Sequence, residues 1–148
     1  MRFSYQWVFL CFTLSVVGPF GLPSLSAQAA PPGPATAILG TWRGSSICVD
    51  RIRDTACGDE EVIYQVDSAA SPSGPVRMLA DKVVNGSRQP MGGFHLSYDA
   101  VQREWSVGLR TRIQARWSFT PHGDQLSGTL TEVPSGRLIR RVTARRGP

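Results

Sequence analysis

From Ile38 onward the chain never sustains a helical period. Short runs of apolar/polar alternation recur instead, about every 10–15 residues, and Gly, Pro, Asn or Asp clusters end them. The first strand runs near Ile38–Val49 and the second is Glu61–Val66, followed by the turn Ser71-Pro72-Ser73-Gly74-Pro75. The third is Val76–Val84, closed by Asn85-Gly86, and the fourth is Gly93–Tyr98, closed by Asp99-Ala100. The fifth is Glu104–Arg110 and the sixth is Ile113–Thr120, followed by Pro121-His122-Gly123-Asp124. The seventh is Leu126–Val133, followed by Pro134-Ser135-Gly136, and the eighth is Arg137–Ala144. Such short links join antiparallel strands, because parallel pairs need long crossovers. The fold class is therefore all-β, an eight-stranded antiparallel up-and-down barrel that hides its own edges, with a two-sheet β-sandwich as the alternative.

Alternation also assigns faces. It turns Val62, Tyr64 and Val66 inward on the second strand, and Phe94, Leu96 and Tyr98 on the fourth. Trp105, Val107 and Leu109 follow on the fifth, Ala115, Trp117 and Phe119 on the sixth, and Leu126, Gly128 and Leu130 on the seventh. Strands one, three and eight alternate less cleanly and receive no firm facing. Gly44, Ser45 and Ser46 fill little volume and favour a hollow beside the first strand.

The first 29 residues read as a cleaved signal peptide. Arg2 gives a positive start, Trp7 to Val17 an apolar core of about 11 residues, and Ala27-Gln28-Ala29 a small-residue cleavage site. That core is short against the ~20 residues of a spanning helix, and Pro19 and Pro23 interrupt its extension. The chain thus reads as secreted or periplasmic and not membrane-spanning after cleavage. Residues 30–37 form a Pro-rich leader, extended through Pro34, and residues 38–148 a single barrel domain. Cleavage removes Cys11 and leaves Cys48 and Cys57, a pair that an oxidising compartment joins in a disulfide. Five of the arginines, Arg137, Arg140, Arg141, Arg145 and Arg146, crowd one stretch. They read as outward charges protecting a strand edge, or as a surface for an anionic partner. Nucleic acid is a poor partner for an exported protein, although the pI is near 9.7. Asn85-Gly86-Ser87 matches a glycosylation sequon but reads first as a turn.

Leu39-Gly40-Thr41-Trp42 opens the first strand behind a loose leader. A G-x-W motif at the head of an eight-stranded meander resembles the calycins, the group of lipocalins, fatty-acid-binding proteins and avidins. The resemblance implies that Trp42 sits inside one end of the barrel with an arginine from late in the chain packed across it, Arg140 or Arg141 here. It also implies a small, mostly apolar ligand in the barrel mouth, lined by Trp42, Tyr64, Tyr98, Trp105 and Trp117. A second stretch, Trp117, Thr120, Pro121, Gly123 and Leu126, resembles the W-x-x-T-P-x-G-x-x-L pattern of secreted inhibitors of alkaline metalloproteases. That resemblance implies a protease partner and a trunk entering its cleft, equivalent to residues 30–37.

Catalysis is not expected. His95 and His122 are the two histidines, one alternating outward and one in a turn, and no nucleophile, zinc or phosphate-loop motif accompanies them. No metal or other cofactor is expected, and the acidic run Asp59-Glu60-Glu61 reads as solvent-facing. Three functions follow: a binding protein for a small apolar ligand, a protease inhibitor acting through its leader, and an envelope protein binding anionic surfaces through its arginine-rich strand.

Overall fold

The computed structural model describes residues 34–53, 56–67, 74–111 and 113–147. The expected signal peptide and the first part of the leader lie outside the described residues. The chain runs α1 (Pro34–Ile38), β1 (Gly40–Cys48), β2 (Glu60–Asp67), β3 (Val76–Val84), β4 (Ser87–Asp99), β5 (Glu104–Arg110), β6 (Gln114–His122), β7 (Gln125–Glu132) and β8 (Leu138–Arg146). Each strand pairs with the next, and β8 returns to β1, closing one barrel. All eight pairings are antiparallel, so the single closed sheet excludes the two-sheet sandwich.

The end of the leader is helical rather than extended. Pro34 fits the first helical position, where its missing N–H costs nothing, and the Leu39 amide donates to the Ala35 carbonyl at 3.1 Å. Ala35 and Ile38 are buried against the core. Burial of Ile38 alone is worth about 2 kcal/mol, which holds so short a helix in place.

The strands also run longer than the turn signals indicate. The turn of Asn85 and Gly86, with φ of 51° and 76°, makes a two-residue hairpin. β4 therefore starts at Ser87, six residues before the expected Gly93. Val84 faces Ser87 across this turn and Asp81 faces Pro90. Counting from the hydrogen-bonded closing pair, Pro90 falls at a position whose nitrogen points away from β3. It points toward the seam with β5, where only Ser97, Tyr98 and Asp99 find partners. β4 therefore leaves Ser87–Leu96 unpaired on that side, and Pro90 blunts the exposed edge. Pro121 is tolerated within β6 for the same reason, since the ladder with β5 stops at Phe119.

Every inward residue expected on strands two and four to seven faces the barrel interior or its mouth. The facing of β1, β3 and β8 comes from register. Trp42, Gly44, Ser46 and Cys48 share the inner side with Val76, Met78 and Ala80, and with Arg140, Val142, Ala144 and Arg146. Their alternation is obscured because glycine, serine and arginine occupy inner positions. Gly44 and Ser46 do not mark a hollow. At Gly44 the β8 backbone fills the space a side chain would take, and Ser46 is buried in a hydrogen bond. Ser45 lies on the outer face.

Cys48, ending β1, is bonded to Cys57 nine positions on. The bridge closes the β1–β2 loop and should stabilise the fold by about 2–3 kcal/mol in the chain-entropy picture. Replacing both cysteines by alanine is expected to lower the urea midpoint accordingly with an unchanged barrel circular-dichroism spectrum. An unchanged midpoint would show that the loop is held by its ion pairs instead.

Candidate functional site

The two ends of the barrel are built differently. At one end α1 lies across the opening. The Trp42 indole donates from Nε1 to the Ile38 carbonyl at 2.8 Å, and Trp42 is fully buried. The Arg146 guanidinium stands 4.2 Å from the Trp42 ring centroid, a cation–π contact. The same guanidinium donates to the Ala37 carbonyl at 2.8 Å and to the Leu39 carbonyl, so one side chain ties β8 to the helix end. The arginine across Trp42 is therefore Arg146, not Arg140 or Arg141. Register dictates this: Trp42 pairs with Arg146, whereas Arg140 pairs with Cys48 at the far end of β1.

That far end is the mouth. Arg140 reaches inward and donates to Ser46 Oγ at 2.8 Å, to Glu60 Oε2 at 2.8 Å and to the Gly58 carbonyl at 2.9 Å. Asp59 accepts the Cys48 amide at 2.9 Å and meets Arg51 at 2.6 Å. The amide and then the guanidinium hold its carboxyl below the ordinary carboxylate value. The acidic run is thus spent largely on tying the disulfide loop to the barrel. Among the described residues, no cluster of three potential metal ligands occurs.

Above this polar group the wall is apolar and aromatic. Tyr64 is buried with its ring edge-on to Phe119 at 5.5 Å, and burial pushes its phenol well above its usual pKa. Trp117 stacks on Phe119 at 5.4 Å and 17°. Phe94, Val107 and Trp117 pack against the core from the mouth side while staying half-exposed. Leu130, level with Trp117 and Arg140, is half-buried too. The parting of β4 from β5 opens this wall sideways. Beside the rim lies a depression of about 420 Å³, lined in part by Leu109, Ala115, Arg116 and Val133.

The five aromatic residues expected to share one lining do not. Tyr64 and Trp117 belong to the mouth. Trp42 and Trp105 are fully buried toward the closed end, and Tyr98 packs on Trp105 there at 5.1 Å. Strand periodicity fixes inward and outward but not depth along the barrel, so it cannot sort residues between ends. Arg140 and Glu60 were missed as mouth residues. The spacing Arg140, Val142, Ala144, Arg146 carried the signal, since it places both arginines in phase with apolar inner positions.

The arginine cluster divides likewise. Arg137 pairs with Asp50 and with Glu132, while Arg140 and Arg146 serve the two ends. Only Arg141 and Arg145 remain fully outward, and Arg43 lies directly opposite Arg145. β8 is not a sheet edge, because β7 and β1 flank it, so edge protection is not its task. His95 is exposed opposite Arg77, and His122 is exposed at the end of β6 rather than within the turn.

No family model matches this chain, and no curated protein or solved structure matches it either.

Proposed function

We propose that this is an exported, non-enzymatic barrel protein that takes a small, mostly apolar ligand through its open end, in the manner of the calycins. The observation that carries the reading is the asymmetry of the barrel. One end is plugged by α1, Trp42 and Arg146, while the other keeps Phe94, Val107, Trp117 and Leu130 half-exposed around a gap between β4 and β5. Large apolar side chains left partly exposed together favour an apolar occupant. The G-x-W tryptophan and its late arginine add support for the calycin likeness. The tripartite start of the chain and the Cys48–Cys57 bridge support export. Within this reading the ligand contacts narrow to Tyr64 and Trp117 with Phe94, Val107 and Leu130. Trp42, Trp105 and Tyr98 lie outside that lining.

The test uses the apolar fluorophore N-phenyl-1-naphthylamine on the exported protein. Its emission is expected to rise saturably, and Trp117→Ala or Phe94→Ala should weaken binding about tenfold, the effect of losing about 1.4 kcal/mol. His95→Ala, on the outer face, should change nothing. Absence of saturable emission, together with a bare chain in native mass spectrometry, would overturn the reading.

A further inference from the structure

We infer that the outer face of β7, β8 and β1 binds an acidic polysaccharide, whose carboxylates meet Arg43, Arg141 and Arg145. Arg43 and Arg145 stand directly opposite each other across the β1–β8 seam, and both are exposed. Like charges so placed repel. Their other cross-strand neighbours bring no relief, since Ile63 lies beside Arg43 and Gln125 beside Arg145. Arg141 lies between Ile47 and Thr129 in the same way. None of the three makes an ion pair among the described residues. Elsewhere on the barrel wall Arg77 meets Asp67 at 2.7 Å, Arg88 meets Asp81 at 2.9 Å and Arg116 meets Glu104 at 2.9 Å. No outward position of β7, β8 or β1 holds a carboxylate. Glu61, across from Ser45 on β2, borders the face and pairs with no arginine among the described residues. Three uncompensated cations held on one rigid face attract an anionic partner.

The shape and chemistry of the face point to a polymer of sugars. Two shallow depressions, of about 350 and 280 Å³, lie side by side on it and share Thr143. Arg43, Ser45 and Arg145 line the first, and Arg141, Ser127 and Thr129 the second. Glu104 borders the second, but Arg116 and Ser118 engage its carboxylate. Arg141 and Arg145 are four residues apart on β8, about 13 Å along the strand. A single small anion cannot span that distance, whereas a chain with repeated charges can. Hydroxyls stand between the arginines, and they both donate to and accept from the hydroxyls of sugar units. A membrane surface fits less well, because peripheral binding draws on apolar side chains that enter the headgroup layer. Ile47 is the one exposed large apolar side chain at the outward positions of the three strands. Nucleic acid is disfavoured by the export proposed above, on which the choice of polymer rests in that respect.

The experiment titrates the protein with polygalacturonate, which carries a carboxylate and free hydroxyls on every unit, by calorimetry at about 0.15 M salt. Saturable binding is expected, weakening as salt rises because exposed charges are screened. Arg43→Gln, Arg141→Gln and Arg145→Gln combined should weaken it about thirtyfold, from about threefold for each exposed contact. Arg77→Gln removes the same charge from another part of the wall and should leave affinity within about twofold. Thr143→Val should weaken binding about threefold, the effect of one hydrogen bond. The triple variant should unfold at an unchanged or higher urea concentration, because facing like charges are gone. Absence of binding would overturn the inference. So would an Arg77→Gln loss as large as that of the triple variant, since net charge alone would then be acting. A lower urea midpoint in the triple variant would overturn it by showing the arginines to be spent within the fold. Equal or tighter binding of polyacrylate, which has carboxylates without hydroxyls, of duplex DNA or of phosphatidylglycerol vesicles would overturn the choice of a polysaccharide. The mouth reading stands or falls separately, on Trp117→Ala.

Discussion

Trp42→Ala should lower the free energy of unfolding by about 4 kcal/mol, a large share of the ~5–15 kcal/mol that holds a domain of this size. The indole is fully buried, so its removal leaves a cavity that the surrounding strands cannot fill. It also leaves the Ile38 carbonyl without its donor and Arg146 without its ring. Arg146→Ala should cost about 2 kcal/mol, because it uncaps the Ala37 and Leu39 carbonyls while the tryptophan stays. Arg146→Lys should recover only part of this, since an ammonium lacks the planar fork that spans both carbonyls. Arg141→Ala is the comparison on the same strand. Its side chain is exposed and should change stability by less than about 0.5 kcal/mol. Urea unfolding of the four variants gives the ranking. If Arg146→Ala behaved like Arg141→Ala, the helix would be held by Ala35 and Ile38 alone, and the plug would owe nothing to β8.

The closed end also shows how far a strand pattern reaches. Alternation placed Leu96, Trp105, Phe119 and Leu126 on the inner face because polar residues flank each of them, and it placed Val62 and Tyr64 there although the apolar Ile63 stands between them. It gave no facing for β8, where Arg140 and Arg146 occupy inner positions. These arginines are inner residues only because they lie at the two ends of the barrel, where a long side chain finds carbonyls, carboxylates or a ring. Which end a residue occupies follows from its place along its strand, since odd strands begin and even strands end at the same end of an up-and-down barrel. Trp42 and Arg146 are 104 positions apart in the chain yet directly paired. Alternation alone does not carry that pairing, and it does not sort the five candidate aromatics; their places along the strands do, with Trp42, Tyr98 and Trp105 at the strand ends beside the plug. The helix of Pro34–Ile38 was hidden differently. Its prolines read as an extended leader, and five residues have no helical period to detect. Tertiary burial of Ala35 and Ile38 decides the conformation there.

Gly44→Ala is expected to be nearly as damaging as the loss of Trp42, although it adds one methyl group. Gly44 faces Ala144 across the β1–β8 seam that closes the barrel. A Cβ built there would overlap the Thr143 carbonyl and lie 2.5 Å from Ala144 Cα. These are backbone atoms, so no rotamer change relieves the clash. The strands must part, with a cost of about 3 kcal/mol and a loss of amide protection along β8. Gly128 makes the distinction clear. A Cβ there would meet the Phe119 ring at 2.7 Å, and a ring can tilt where a backbone cannot. Gly128→Ala should therefore cost less than Gly44→Ala, while disturbing the Tyr64 and Trp117 contacts with Phe119 at the mouth. Gly108 has open space at the same construction, so Gly108→Ala should be neutral or stabilise by up to about 1 kcal/mol. Urea midpoints and hydrogen exchange on β8 read the order. A Gly44→Ala protein as stable as Gly108→Ala would show that β1 and β8 do not approach this closely, and that the small residues of β1 leave room inside the barrel after all.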